Sequence, residues 1–318
     1  MKKILLIAII TAVLFCGCTK ISDFEEAVPA QGTIASEPLA YPVTYSNLTF
    51  NSSPMTVGSL SPAVTEMLFE LNCSDRLVFK SDYCNYPAEA ESIPTAGSGA
   101  NPDFDKIISY APSLLITQSP IANKDLSRLS KAGISVLTLP APTSLEDLFD
   151  NYEALALIFY GSIDSKDIAD TATAELKSTI AAASGSCESI AFIMNVSDDG
   201  FSAATGDTFA GDYISAFGKN IAENSTDYTL SSEELITADP QVIFLANPLE
   251  SSDIDENIAG QLSAFTDGHV FVIDATLMER PTCRLASVTS AFAEAVRKDT
   301  GGSENAVGGF AEIPDTDN

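Results

Sequence analysis

A single histidine, His269, in 318 residues sets the first limit on the chemistry this chain can do. One imidazole makes no His cluster for zinc and leaves little scope for a Ser-His-Asp relay. His269 itself stands in a DGHV turn ahead of a strand, where a solvated loop residue is expected. No GxSxG elbow, phosphate-binding loop or GxGxxG follows any strand-like run. Paired carboxylates such as Glu25/Glu26 and Asp198/Asp199 read as solvated loops, so a carboxylate-dependent hydrolase is the enzymatic class that the residue types still permit. Beyond Cys16 and Cys18, the cysteines Cys73, Cys84, Cys187 and Cys283 fit neither a CxxC pair nor a zinc knuckle. A Cys73–Cys84 disulfide and four free thiols both remain open.

The stretch Val57–Leu71, VGSLSPAVTEMLFEL, holds the most suggestive position for a ligand. Its first four residues are short and apolar, Ser61 suits an N-cap, and Pro62 suits the first helical position, where a missing N–H costs nothing. Val64, Met67, Leu68 and Leu71 then fall at i, i+3, i+4 and i+7 on one apolar face, with Glu66 and Glu70 off it. The Ser-Pro turn therefore lies at the carboxyl end of a strand and the amino end of a helix. Open α/β sheets present free backbone N–H groups to ligands at such places.

Other elements must position that turn. KIISYAPSLLI (Lys106–Ile116) and ELITADPQVIF (Glu234–Phe244) repeat one pattern of helix end, Pro-marked turn and apolar strand, with Asp105 and Glu233 just upstream. The repeat predicts two α/β lobes of like construction. Strands are expected near 57–60, 77–80, 114–117 and 135–139 in the first lobe, and near 190–195, 242–246 and 270–274 in the second. Between the lobes, one helix starts at a Ser144 cap and breaks at Gly161, and another covers about 165–183 with Ile168, Ala172, Leu176 and Ile180 on one stripe. At 1.5 Å per residue the second spans roughly 28 Å, enough for a rigid bridge.

Residues 1–18, MKKILLIAIITAVLFCGC, combine Lys2 and Lys3, an apolar run and a Gly-Cys end, the layout of a secretory signal. Its removal leaves 14 basic against 44 acidic residues, a net charge of −30, which repels nucleic acid and anionic headgroups. No later apolar run reaches the roughly 20 residues of a membrane span. The expected order is signal 1–18, tether 19–53 with an outlying strand at Thr44–Phe50, first lobe 54–161, bridging helix 162–185, second lobe 186–300 and disordered tail 301–318.

Taken in order, GSLSPAVTEMLFEL, SDYCNYP (Ser81–Pro87), NPDFDKIISYAPSLLIT, SSEELITADPQVIFL and MERPTCRL (Met278–Leu285) resemble stretches of one family, the substrate-binding lipoproteins of ABC importers for cobalamin, haem and iron-siderophores. The resemblance runs from Val57 to about Lys298. It implies an α/β fold of two Rossmann-like lobes joined by a long rigid helix, with little hinge motion and the ligand in the cleft between lobes. It implies a monomer with no catalytic residues and no resident cofactor or metal, which delivers its ligand to an ABC permease and its ATPase. Cleavage behind Gly17 and lipidation of Cys18 would anchor it to the extracytoplasmic face of the cell membrane.

On the family pattern Ser61, Pro62, Tyr83, Cys84, Tyr86, Arg280 and Arg284 line the cleft. Tyrosines offer flat faces with a polar tip for a large planar ligand, and guanidiniums suit a propionate, amide or phosphate. Core packing is the alternative for the tyrosines, and an ion pair closing the loop is the alternative for Arg284. Asp105 and Glu233 match the carboxylates that dock on permease arginines, Asp105 standing where relatives have Glu; complementing a helix dipole is their other reading. The chain has no Trp, on which cobalamin-binding relatives often stack the corrin, and Phe201 or Tyr228 are the candidates for that role. DYCNYP and ERxxxR lean toward cobalamin. Haem or a ferric siderophore is the alternative cargo, and a surface-anchored hydrolase or adhesin the alternative class.

Overall fold

The computed structural model describes residues 40–197, 200–274 and 276–299. The expected signal with Cys18, the first part of the tether and the tail lie outside the described residues. A hairpin of β1 (Val43–Tyr45) and β2 (Leu48–Phe50) comes first. Strands β3 (Val57–Ser59), β4 (Leu77–Phe79), β5 (Leu114–Thr117) and β6 (Ser135–Thr138) then form a parallel sheet in the order β4-β3-β5-β6. Helices α1 (Pro62–Glu70), α2 (Phe104–Tyr110) and α3 (Asn123–Lys131) lie between its strands, and the long α4 (Leu145–Ala183) leads out of it.

The second lobe holds β7 (Ser189–Ser197), β8 (Gly200–Ala203), β9 (Lys219–Asn220), β10 (Thr229–Leu230), β11 (Val242–Ala246) and β12 (Val270–Ile273). Its centre, β7-β11-β12, is parallel, while β8 and β10 extend it through antiparallel pairs and β9 adds a short parallel pair to β7. Helices α5 (Phe209–Ser215), α6 (Ser232–Ala238), α7 (Glu256–Ala259), α8 (Ser263–Asp267), α9 (Thr276–Glu279) and α10 (Leu285–Asp299) complete it.

Both sheets are covered on both faces, so their strands read as continuous apolar runs rather than alternating ones. Leu115 packs with Ile107 of α2 and Leu129 of α3, while Leu114 and Ile116 join α1 and α4. Ile243 and Leu245 likewise pack with Leu235 of α6, while Phe244 joins Phe292 of α10. The inner layers of the two sheets merge through α4 and α10 into one cluster. The lobes share their inner core instead of owning separate ones.

The sequence repeat is a structural repeat. α2 and α6 are both seven residues long, and both end on a left-handed residue, Ala111 (φ 47°) and Asp239 (φ 39°), three residues ahead of β5 and β11. The antiparallel additions β8 and β10 were not legible in the sequence, because strands of two to four residues carry too little period-2 pattern.

α4 breaks at Gly161 (φ 78°, ψ −178°), where the sequence places the break. A break strips backbone groups of their helical partners, and these must be satisfied elsewhere. Tyr41 donates its hydroxyl to the Ile158 carbonyl (2.9 Å), Ser53 donates to the Phe159 carbonyl (2.7 Å), and the Ser162 N–H donates to the Ala40 carbonyl (2.9 Å). Residues 40–53 are therefore a strap on α4 and not part of a free tether, with Val43 and Phe50 only 6% and 9% exposed.

Candidate functional site

Loops from the carboxyl ends of both sheets converge between the lobes. β3 runs into Ser61 and α1, β4 into the loop 80–87, and β12 into the segment that carries Arg280 and Arg284. Ser61 is the N-cap of α1, accepting the Val64 N–H at 3.3 Å, and its hydroxyl also bonds Gln118. Pro62 follows it, partly exposed. Cys84 is buried, its thiol donating to Thr65 Oγ1 at 3.1 Å. Burial pushes that thiol up, so it stays protonated at neutral pH. Lys80, also buried, donates Nζ to the Cys84 carbonyl at 2.6 Å and so holds the loop from beneath.

The expected site residues of this region come together across the gap. Arg280 donates from Nη1 to the Tyr83 carbonyl at 3.0 Å and to Asn85 Oδ1 at 3.2 Å. The Tyr83 ring itself is 64% exposed at the loop tip. The Arg284 guanidinium lies 3.7 Å from the centre of the Tyr86 ring, and its Nη1 is 3.5 Å from Glu66 Oε1. For Arg284, then, the ion pair closing the loop is the arrangement found.

Glu66 and Glu70 lie off the apolar face of α1 and turn toward the other lobe: Glu70 is half-buried, and the Glu66 side chain is 2% exposed. It accepts the Thr282 hydroxyl at 3.1 Å, while Glu70 accepts the Tyr152 hydroxyl of α4, which in turn accepts the Cys283 N–H at 2.9 Å. One face of α1 packs on its own lobe and an adjacent stripe meets the other lobe. Helical spacing shows the first and cannot show the second. Burial pushes Glu66 up, against the pull of Arg284 and Thr282. Burial lifts Glu70 to about 7, with the Tyr152 hydrogen bond opposing the rise and the nearby Glu66 charge adding to it. Sequence reasoning passed over Lys80, Tyr152 and Thr282 as well. The one available signal was a carboxylate pair at i, i+4 on a helix otherwise apolar beside the Ser-Pro turn.

The two candidates for stacking a ligand fare differently. Phe201 is 5% exposed within the outer core of the second lobe, opposite Leu230 in the β8–β10 pair, a place where strands take aromatics for packing alone. Tyr228 is 47% exposed at the sheet edge, its N–H donating to Thr205 Oγ1. Asp105 and Glu233 are exposed in the first turns of α2 and α6, in equivalent places of the repeat. Asp105 is ion-paired with Arg128 of α3. His269 is half-buried against the Gln241 carbonyl at 3.2 Å. Cys73, Cys84, Cys187 and Cys283 are free thiols. Among the described residues, no group of three or more His, Cys, Asp or Glu is placed to hold a metal ion, and no helix is long and apolar enough to cross a membrane.

Comparison with known proteins adds the family. A family model described as periplasmic binding protein matches residues 57–277. The chain is 24% identical over 305 residues to an uncharacterised ABC transporter substrate-binding lipoprotein of Bacillus subtilis, covering 92% of this chain and 96% of that one. It is 26% identical over 257 residues to a vitamin B12-binding protein of Vibrio parahaemolyticus, covering 77% of this chain and 91% of that one. Among solved structures, the fold is similar to that of the periplasmic heme binding protein HutB of Vibrio cholerae, with a TM-score of 0.64, 18% identity, and coverage of 78% of this chain and 99% of that one.

Proposed function

The chain belongs to the periplasmic binding protein family, and on that premise we propose that it captures a corrinoid outside the cytoplasmic membrane and hands it to an ABC permease. The observation that carries this reading is Arg280, which reaches across the gap to a backbone carbonyl and a side-chain amide rather than to a carboxylate. Its partners are neutral, so a ligand amide or carboxylate can replace them at little electrostatic cost. The exposed Tyr83 ring lies beside it as an apolar face. The names of relatives support the cargo class, one a vitamin B12-binding protein and another a substrate-binding lipoprotein. Lipidation at Cys18, and docking of Asp105 and Glu233 on the permease, complete the proposal. A haem or ferric siderophore is the second reading, favoured by the lack of Trp, which leaves tyrosine faces for the ligand.

Calorimetric titration of the soluble form with cobalamin, cobinamide, haem and a hydroxamate siderophore tests it. Cobalamin should bind, and Arg280→Ala should weaken it about tenfold, the loss of one good hydrogen-bonding group. Failure of all four to bind refutes the ligand class. Unchanged affinity in the variant removes Arg280 from the site.

A further inference from the structure

Behind Arg280 and Arg284 lies a second set of contacts that ligand capture leaves unused. Glu70 of α1, the Tyr152 hydroxyl of α4 and the Cys283 N–H ahead of α10 form one hydrogen-bonded chain. One carboxyl, one phenol and one amide thus join three elements across the seam. One turn back on α1, Glu66 holds Thr282 and Arg284. We propose that Glu70 and Tyr152 are positioning residues that set the 282–284 segment against the first lobe, and that protonation of Glu70 tightens this hold.

The groups facing Glu70 decide the direction. Glu66 faces it from its own helix, Tyr152 from α4, and the Cys283 thiol and Arg284 from the second lobe, with Lys177 and Glu175 of α4 beyond Cys283. Of the two cations in this set, Arg284 is paired with Glu66 and Lys177 with Asp170. Ionised Glu70 therefore holds a phenol rather than a cation and repels Glu66. Such a carboxylate gains by drawing in water, which parts the 282–284 segment from α1. Neutral Glu70 keeps an acceptor oxygen for Tyr152, in a weaker bond than the carboxylate accepts, but is relieved of the larger cost of a desolvated charge and of the repulsion from Glu66. Because Glu70 titrates at about 7, the two states exchange near neutrality. The consequence for cargo rests on the cleft reading above: a ligand seated over the seam removes further water, favours the neutral form, and binds more tightly as pH falls through 7.

Hydrogen exchange of the 280–285 amides, corrected for intrinsic rates, tests the hold without any ligand. Wild-type protein should open about threefold more at pH 8 than at pH 6, and Glu70→Gln, which keeps an oxygen for Tyr152, should show the same opening at both. Tyr152→Phe should open the segment at both pH values. An equal pH ratio in wild type and Glu70→Gln overturns the proposal. Titration with cyanocobalamin is the second arm, expected to give about fivefold tighter binding at pH 6 than at pH 8 in wild type and no difference in Glu70→Gln. If the exchange titrates but cyanocobalamin binds at neither pH, the corrinoid reading falls and the positioning role stands. If cyanocobalamin binds with one pH slope in both proteins, the proton-linked role is refuted.

Discussion

Gly161→Ala sets two effects of opposite sign against each other in the same residue. In an ordinary helix interior the change should stabilise, because Ala is about 1 kcal/mol better than Gly there and restricts the unfolded chain. Gly161 is not in helical conformation: its φ of 78° and ψ of −178° lie in a region that is essentially closed to residues with a side chain, at a cost of about 1–3 kcal/mol. A Cβ would also stand 2.5 Å from the Ala40 carbonyl oxygen and 2.8 Å from the Ala40 Cβ. The strap would have to withdraw, unseating hydrogen bonds to Ile158, Phe159 and Ser162. The net expectation is a loss of about 2–3 kcal/mol. In a domain of this size that lowers Tm by about 5 °C or more. Urea unfolding followed by circular dichroism, with scanning calorimetry alongside, measures it. A variant as stable as wild type, or more so, would mean that α4 runs unbroken through position 161 and that the strap closes nothing.

Two further outcomes follow from the seam. Arg284→Ala leaves the buried Glu66 without its cation and uncovers Tyr86, and should destabilise by about 2–4 kcal/mol; adding Glu66→Gln should restore at least half of that in a double-mutant cycle, and a single-variant loss under about 0.5 kcal/mol would count against the pair. The carboxyl of Glu70 is raised in the folded protein to about 7, so the stability contributed by its neutral form is complete below the unfolded carboxyl value and is lost as pH rises through 7. Glu70→Gln should therefore gain on wild type by about 1–2 kcal/mol between pH 5 and pH 8 in urea titrations, and a gap that does not change with pH refutes the raised carboxyl.

Periodicity exposed the α/β architecture because burial on one's own lobe is a local property. Leu114–Thr117 and Val242–Ala246 emerge as strands with the expected ends, since apolar runs flanked by a Pro turn permit few other structures. The Ser144 cap, found at the start of α4 accepting the Asp147 N–H, is of the same kind, a motif complete within four residues. The strap was less legible. Its two strands are three residues each, and the need they answer is created more than 100 residues later, at the broken turn of α4.

The division at the candidate site is sharper. Sequence alone determined that Ser61 caps a helix at a strand end and that the chain breaks at Gly161. The family resemblance brought out Arg280, Arg284, Tyr83 and Tyr86 as a group. Tertiary structure decided what those residues touch: Arg284 on Glu66 and Tyr86, Arg280 on Tyr83 and Asn85. It also turned Glu66 and Glu70 from polar residues beside an apolar stripe into contacts of the seam, Glu66 buried and Glu70 half-buried. The physical reason is that a carboxylate's surroundings, and hence its charge near pH 7, depend on desolvation and partners brought by a loop over 200 positions away. Local spacing carries no trace of that meeting.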